Sequence, residues 1–179
     1  VLCEVPLAFT LEDCWRVVLA VERSGKTFQM AEQVRYSPFA QAWKRMVRDD
    51  RLGKILYAEG QYLHGMTEDR FWVDRETGEK LTLAQAKDNP RAIKSRFWSL
   101  LHPIWYLPHE LSPLLCILDD RVVRVTGMAT RTPGYKYDWL PLPDLEVALM
   151  HTEKGAILRL AAGFTIHTMI ASNHWYHLM

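Results

Sequence analysis

Glycine signatures are missing from this sequence. None of its nine glycines falls in a GxGxxG, in a GxxxxGK followed by Ser or Thr, or around a serine as GxSxG. The 179 residues therefore show no phosphate-cradling turn and no nucleophile elbow. Cysteine is scarce: Cys3, Cys14 and Cys116 are odd in number and have no CxxC spacing. That disfavours a disulfide framework or a structural zinc site and favours a reducing compartment, so a cytoplasmic protein is expected. Charge of one sign is lacking too, with 22 basic against 21 acidic residues and a net charge of +1. A nucleic-acid binder needs a basic excess or stripe, so no nucleic-acid partner is expected. Charges interrupt every apolar run before it could span a bilayer, which argues against a membrane partner. The opening Val1-Leu2-Cys3-Glu4-Val5-Pro6 lacks the basic start and long apolar stretch of a signal peptide. It begins without Met, on a short apolar run, and reads as a cut end.

What is present is an ordinary globular balance, 49% hydrophobic and 24% charged, without repeats. Val1-Leu2-Cys3 reads as the end of a buried strand. Thr10 with Asp13 resembles a capping box, Leu11, Cys14, Trp15 and Val18 recur at helical spacing, and Ser24-Gly25 supplies a stop. Lys26 to Ala31 reads as a strand. Ser37-Pro38 starts a second helix with a stripe of Phe39, Ala42, Trp43, Met46 and Val47, ended by Leu52-Gly53. Strand, helix, strand, helix is the rhythm of a parallel sheet with packed helices.

The pattern then changes. Lys54 to His64 is a long strand candidate, and Gly65 to Arg96 is a polar excursion with one short helix near Thr82 to Lys87. His109 to Leu118 reads as a helix. Val122 to Met128, Glu146 to His151 and Ala156 to Phe164 read as strands, with a hairpin turn at Glu153-Lys154-Gly155. Strands joined by short turns are antiparallel, so this part is α+β. A boundary near Gly53 divides the chain into 1–53 and 54–179.

Several side chains could carry chemistry. Asp49-Asp50 and Asp119-Asp120 sit at element ends and read as solvated turns. His64 closes a strand, where clefts often form. His109 opens a helix, with Tyr106 one turn earlier. The positive end of a helix disfavours imidazolium, so a histidine there can act as a base near neutral pH. The blander reading is that His109 caps the helix or bonds a backbone carbonyl. His167, His174 and His177 match no recurrent metal spacing and read as mixed surface, so no metal is expected. Trp98, Trp105, Tyr106, Trp139, Trp175 and Tyr176 could build a sugar-stacking cleft, although aromatics more often fill cores.

Taken in order, these segments resemble the glucose–fructose oxidoreductase and inositol dehydrogenase (Gfo/Idh/MocA) family. Val1 to Ala8 resembles its Glu-Lys-Pro segment, and Ala31 to Pro38 resembles its next strand end with an Arg-Tyr pair. Leu52 to Gly60 resembles the start of its second domain. Tyr106-Leu107-Pro108-His109 followed by Leu111 to Leu115 resembles the helix with its active-site His. Gly155 to Gly163 and His174-Trp175-Tyr176 resemble later strands of its large sheet. Only the Gly65 to Arg96 excursion falls outside the likeness.

The resemblance implies an α/β plus α+β fold: the C-terminal end of a Rossmann-like nucleotide-binding domain, then a truncated α+β domain with a large, mostly antiparallel sheet. It implies that the chain is an internal fragment, with the glycine-rich turn for NAD or NADP upstream of Val1. The implied activity is hydride transfer between NAD(P) and a sugar, cyclitol or related polyol, with a homo-oligomer in the full-length protein. By the likeness, His109 is the base or substrate-orienting group and Tyr106 assists. Glu4, Pro6, Glu32, Gln33 and Arg35 lie along the nicotinamide-ribose edge, with a structural salt bridge the other reading for Arg35. Tyr62 and His64 are substrate-cleft residues.

Two family positions differ. Val5 replaces the Glu-Lys-Pro lysine, and Trp105 stands where a carboxylate often precedes the His by four residues. Glu-Val-Pro with Tyr-x-x-His occurs among relatives resembling NAD-dependent glycosidases such as α-N-acetylgalactosaminidase. Those enzymes oxidise a sugar carbon transiently and need no carboxylate pair. The alternatives are such a glycosidase, or a non-catalytic paralogue that binds nucleotide or a partner.

Overall fold

The computed structural model describes residues 1–95, 101–166 and 174–179. Strands β1 (Leu2–Cys3) and β2 (Gln29–Met30) form a short parallel pair. Helix α1 (Leu11–Ser24) joins them, and the expected signals hold it. The Thr10 hydroxyl accepts from the Asp13 N–H, and Gly25 ends the helix at φ 62°. That left-handed turn suits a residue without a Cβ. Leu2, read as buried, is 73% exposed, because two short strands cannot enclose both of their own faces. The apolar residues of α1 are likewise uncovered among the described residues, with Trp15 59% exposed.

Helix α2 (Pro38–Arg48) starts on Pro38 as expected, but the Ser37 hydroxyl makes no capping bond. It ends before Leu52-Gly53, in a turn with Asp50 at φ 54°. Its apolar stripe packs on the main core.

That core lies between helix α4 (Pro108–Leu118) and one face of a five-stranded sheet. The strands are β3 (Tyr57–Leu63), β7 (Val122–Ala129), β8 (Glu146–Thr152), β9 (Ile157–Gly163) and β10 (His174–Leu178). Their order is β10-β3-β9-β8-β7. Three of the four pairings are antiparallel, and β3 runs parallel to β9. The β8–β9 hairpin turns at Gly155, φ 94°, where the Glu153-Lys154-Gly155 signal put it. Leu114 and Ile117 of α4 pack on Ala58, Leu158 and Leu160 of the sheet.

The polar excursion holds more structure than its sequence suggested. Helix α3 (Leu83–Asp88) carries a full capping box between Thr82 and Gln85. Around it stands a three-stranded sheet of β4 (Trp72–Asp74), β5 (Lys80–Leu81) and β6 (Ala92–Lys94). A second apolar cluster of Phe71, Tyr137, Leu140 and Leu142 lies beside it, with Trp139 packed against it.

Candidate active site

Parallel strands deliver ligands to the crevice beyond their carboxyl ends. Here Glu4 follows β1, Glu32-Gln33 lie just beyond β2, and the first turn of α4 comes up to Glu32. The His109 Nδ1 lies 2.7 Å from the Glu32 Oε2, and both side chains are buried. The other Glu32 oxygen accepts from the Val34 N–H at 2.8 Å. Expected beside a cofactor, Glu32 thus has both oxygens engaged within the chain. His109 neither caps its helix nor bonds a carbonyl through Nδ1. An ionised Glu32 requires the proton on Nδ1, which leaves the Nε2 lone pair of a neutral imidazole to act as a base.

Tyr62 stands at the centre of the site. Its ring stacks on Tyr106 at 5.6 Å and lies 5.4 Å from His109, 4.5 Å from His64 and 4.7 Å from His174. Phe164 closes the group against Tyr106 at 5.5 Å. Burial, and after it the charges of Tyr106, Glu110 and Glu32, pushes the Tyr62 phenol up to about 12. Burial and then Glu4 push Tyr106 up as well. Both phenols stay protonated near neutral pH and can donate. Burial foremost, then the charges of His174, Arg70 and His109, lowers His64, which favours its neutral form.

Glu110, next to His109, is fully buried. Its Oε1 lies 2.7 Å from the His174 Nδ1, and its Oε2 has no hydrogen-bond partner among the described residues. Burial pushes this carboxyl up, while the bond to His174 draws it down. Gly60 makes the space: a Cβ there would stand 2.9 Å from that of Glu110. Pro113 adds a second constraint. Lacking an N–H, it leaves the His109 carbonyl without its helical donor, and the Tyr176 hydroxyl donates to that oxygen at 2.7 Å.

The expected residues divide accordingly. Glu32, Tyr62, His64, Tyr106 and His109 come together. Glu4 and Pro6 follow β1, and Glu4 acts on Tyr106 through its charge. Gln33 is exposed and lines a cleft of about 610 Å3 with Phe39, Trp43, Trp175 and His174. Arg35 turns away, its Nη1 3.4 Å from the Ser112 Oγ on α4, a bond to a hydroxyl rather than a salt bridge. His174, read as mixed surface, belongs to the site, because alternate residues of β10 face α4 and its register partner is Tyr62. His167 and Trp98 lie outside the described residues. The other aromatics do not share one cleft: Trp105 packs on Phe9, and Trp139 joins the second cluster. The pairing of Glu110 with His174 is hidden from the sequence by a separation of 64 residues.

No family model matches the chain. Over 135 residues, 73% of this chain, it is 36% identical to a glycosyl hydrolase family 109 protein of Shewanella sp. (strain ANA-3), covering 27% of that protein. Over 86 residues it is 36% identical to another of that description from Shewanella sp. (strain W3-18-1), covering 19% of it. The chain thus spans about a fifth to a quarter of these relatives. In fold it resembles an oxidoreductase from Pseudomonas syringae, with TM-score 0.68 and 16% identity over 99% of this chain and 41% of that one. It also resembles an inositol dehydrogenase homolog from Azotobacter vinelandii complexed with NADH and myo-inositol, with TM-score 0.63 and 18% identity over 95% and 39% of the two chains.

Proposed function

We propose that this chain, whose fold is of the Gfo/Idh/MocA oxidoreductase type, carries the substrate site of an NAD(P)-dependent enzyme that oxidises a sugar, cyclitol or related polyol. The observation that carries the reading is the Glu32–His109 pair at the carboxyl ends of β1 and β2. Residues 1–53 are proposed as the end of the nucleotide-binding domain and 54–179 as the substrate and oligomerisation domain.

The residues present fit the nicotinamide end of such a cofactor. Glu4 is exposed at the end of β1 beside Tyr106, and Gln33 follows β2, so a carboxylate and an amide are available to ribose hydroxyls. NAD(P)+, when bound, supplies a hydride acceptor. His109 takes the substrate hydroxyl proton on Nε2 as the carbinol C–H electron pair departs, and Glu32 stabilises the imidazolium that forms. Tyr106 and Tyr62 donate to the substrate oxygens, and His64 in its neutral form adds no competing cation. Val5 can replace neither the charge nor the proton of a lysine, so proton transfer falls to His109.

The family 109 relatives favour a second reading, a glycosidase that begins with the same proton abstraction. Release of nitrophenol from aryl glycosides by the NAD-loaded protein without net NADH would establish it. NADH formed in proportion to sugar consumed would establish the dehydrogenase. Absence of any NAD(H) binding in a fluorescence titration of the full-length protein would instead favour the non-catalytic paralogue.

We read the protein as cytoplasmic, in keeping with its free thiols. No helix among the described residues is long and apolar enough to cross a membrane. We also read it as a homo-oligomer that pairs through the sheet face turned away from α4. Met128, Leu149 and Ile157 stand on that face at 84%, 46% and 47% exposure.

A further inference from the structure

A carboxylate fully withdrawn from water is costly to keep unless it is paired and put to use. Glu110 is such a group, and its one histidine partner reaches out of the core. The Glu110 side chain is 0% exposed and that of His174 33%. The helix dipole offsets part of the cost, since Glu110 lies in the first turn of α4. Gly60 is given over to the same end, because any Cβ there would collide with Glu110. On the far side of its bond, the His174 ring lies 4.7 Å from Tyr62, tilted by 33°, and 5.7 Å from His109, edge to face. Strand β10 thus grips the first turn of α4 twice, through His174 on Glu110 and through Tyr176 on the His109 carbonyl.

We propose that Glu110 and His174 form a positioning pair: the buried carboxylate fixes the His174 ring, and that ring holds Tyr62 in place opposite His109. The site is then built on two carboxylate-held histidines, each tied through Nδ1, with Tyr62 between them. Glu110 and His174 act on the substrate through Tyr62. Their role in turnover rests on the oxidoreductase reading, whereas the held ring does not.

The test has two arms. In the first, histidine is labelled with 15N, and long-range 1H–15N spectra at neutral pH assign the proton on each ring. Groups facing His174 are Glu110 and His109 on α4, Tyr62 on β3, His64 just beyond that strand, and Tyr176 on β10. The expected result is a single His174 tautomer with the proton on Nδ1, lost to a mixture in Glu110→Gln, with a change at His109 as well. A His174 proton on Nε2, or a spectrum that Glu110→Gln leaves unchanged, would overturn the pair.

The second arm uses the full-length protein, loaded with NAD(P), and a polyol substrate. His174→Ala is expected to raise KM roughly tenfold with a smaller change in kcat. His174→Asn, whose amide N–H can still donate to Glu110 but which has no ring to set against Tyr62, should keep most of that loss. Equal kinetics for wild type and His174→Ala, or full recovery in His174→Asn, would refute the positioning role. No turnover with any sugar or polyol, together with an intact Nδ1 tautomer, would instead reject the oxidoreductase reading and keep the pair.

Discussion

Glu32 joins a strand end to a helix start: one oxygen holds the Val34 N–H and the other the His109 imidazole. A carboxylate used this way sets a tautomer, and a tautomer decides whether a histidine can accept a proton. His109 was legible because it opens a helix behind Pro108, and Tyr106 because it lies one turn before it. Their partners were not, since Glu32 and His109 are 77 residues apart and pattern along a chain does not report pairing across it. Two substitutions test the packing around the site. Gly60→Ala should cost about 1–3 kcal/mol, as overpacking does, measured from the urea unfolding midpoint, because its Cβ would stand 2.9 Å from that of Glu110. An unchanged midpoint would show that α4 can shift freely. Tyr176→Phe strands the His109 carbonyl that Pro113 left open. It should cost about 1–3 kcal/mol, the penalty of an unsatisfied buried acceptor, by the same measurement.

At the scale of elements, the long pieces were legible and the short ones were not. Helices α1, α2 and α4 show apolar spacing, caps or a starting proline over at least 11 residues each. Strands β4, β5 and β6 have only two or three residues, too few for a period of two to emerge. What organises the excursion is Asp74. Its carboxylate accepts from the Glu76 and Thr77 N–H groups and from Asn89, and it pairs with Arg91 at 2.9 Å. Those bonds, the Asn89 bond first, lower its carboxyl from 3.8 to about 2. A carboxyl depressed in the folded state contributes stability above its unfolded value, and loses it as pH falls through its folded value. Hydrogen-exchange protection of β4–β6 should therefore hold above about pH 4 and fade toward pH 2. Asp74→Ala should remove that protection at neutral pH while leaving α4 protected. Equal loss in both places would show that the excursion does not open on its own.

The largest sheet among the described residues presents two unlike faces. One face packs α4 and carries the site at its β3–β10 end. The other exposes apolar residues that a soluble surface does not need. Strand order was not legible, because the parallel β3–β9 pairing joins segments about a hundred residues apart. If that outer face mediates pairing, Leu149→Glu should turn a dimer or larger species into a monomer by sedimentation velocity, with the fold kept. A wild-type monomer would refute the interface. Residues 1–179 alone should show no useful NAD affinity by calorimetry, since no glycine-rich turn is present in the sequence. Affinity equal to that of a full-length relative would contradict this.

His109, held by Glu32, is proposed as the base for oxidation of a sugar or polyol carbinol. Single-turnover formation of NADH at 340 nm, comparing the NAD-loaded full-length wild type with His109→Ala, decides this. A rate lower by about 10²–10⁴, the usual worth of a positioned general base, is expected, with NAD affinity unchanged. A His109→Ala rate within about twofold of wild type would contradict it.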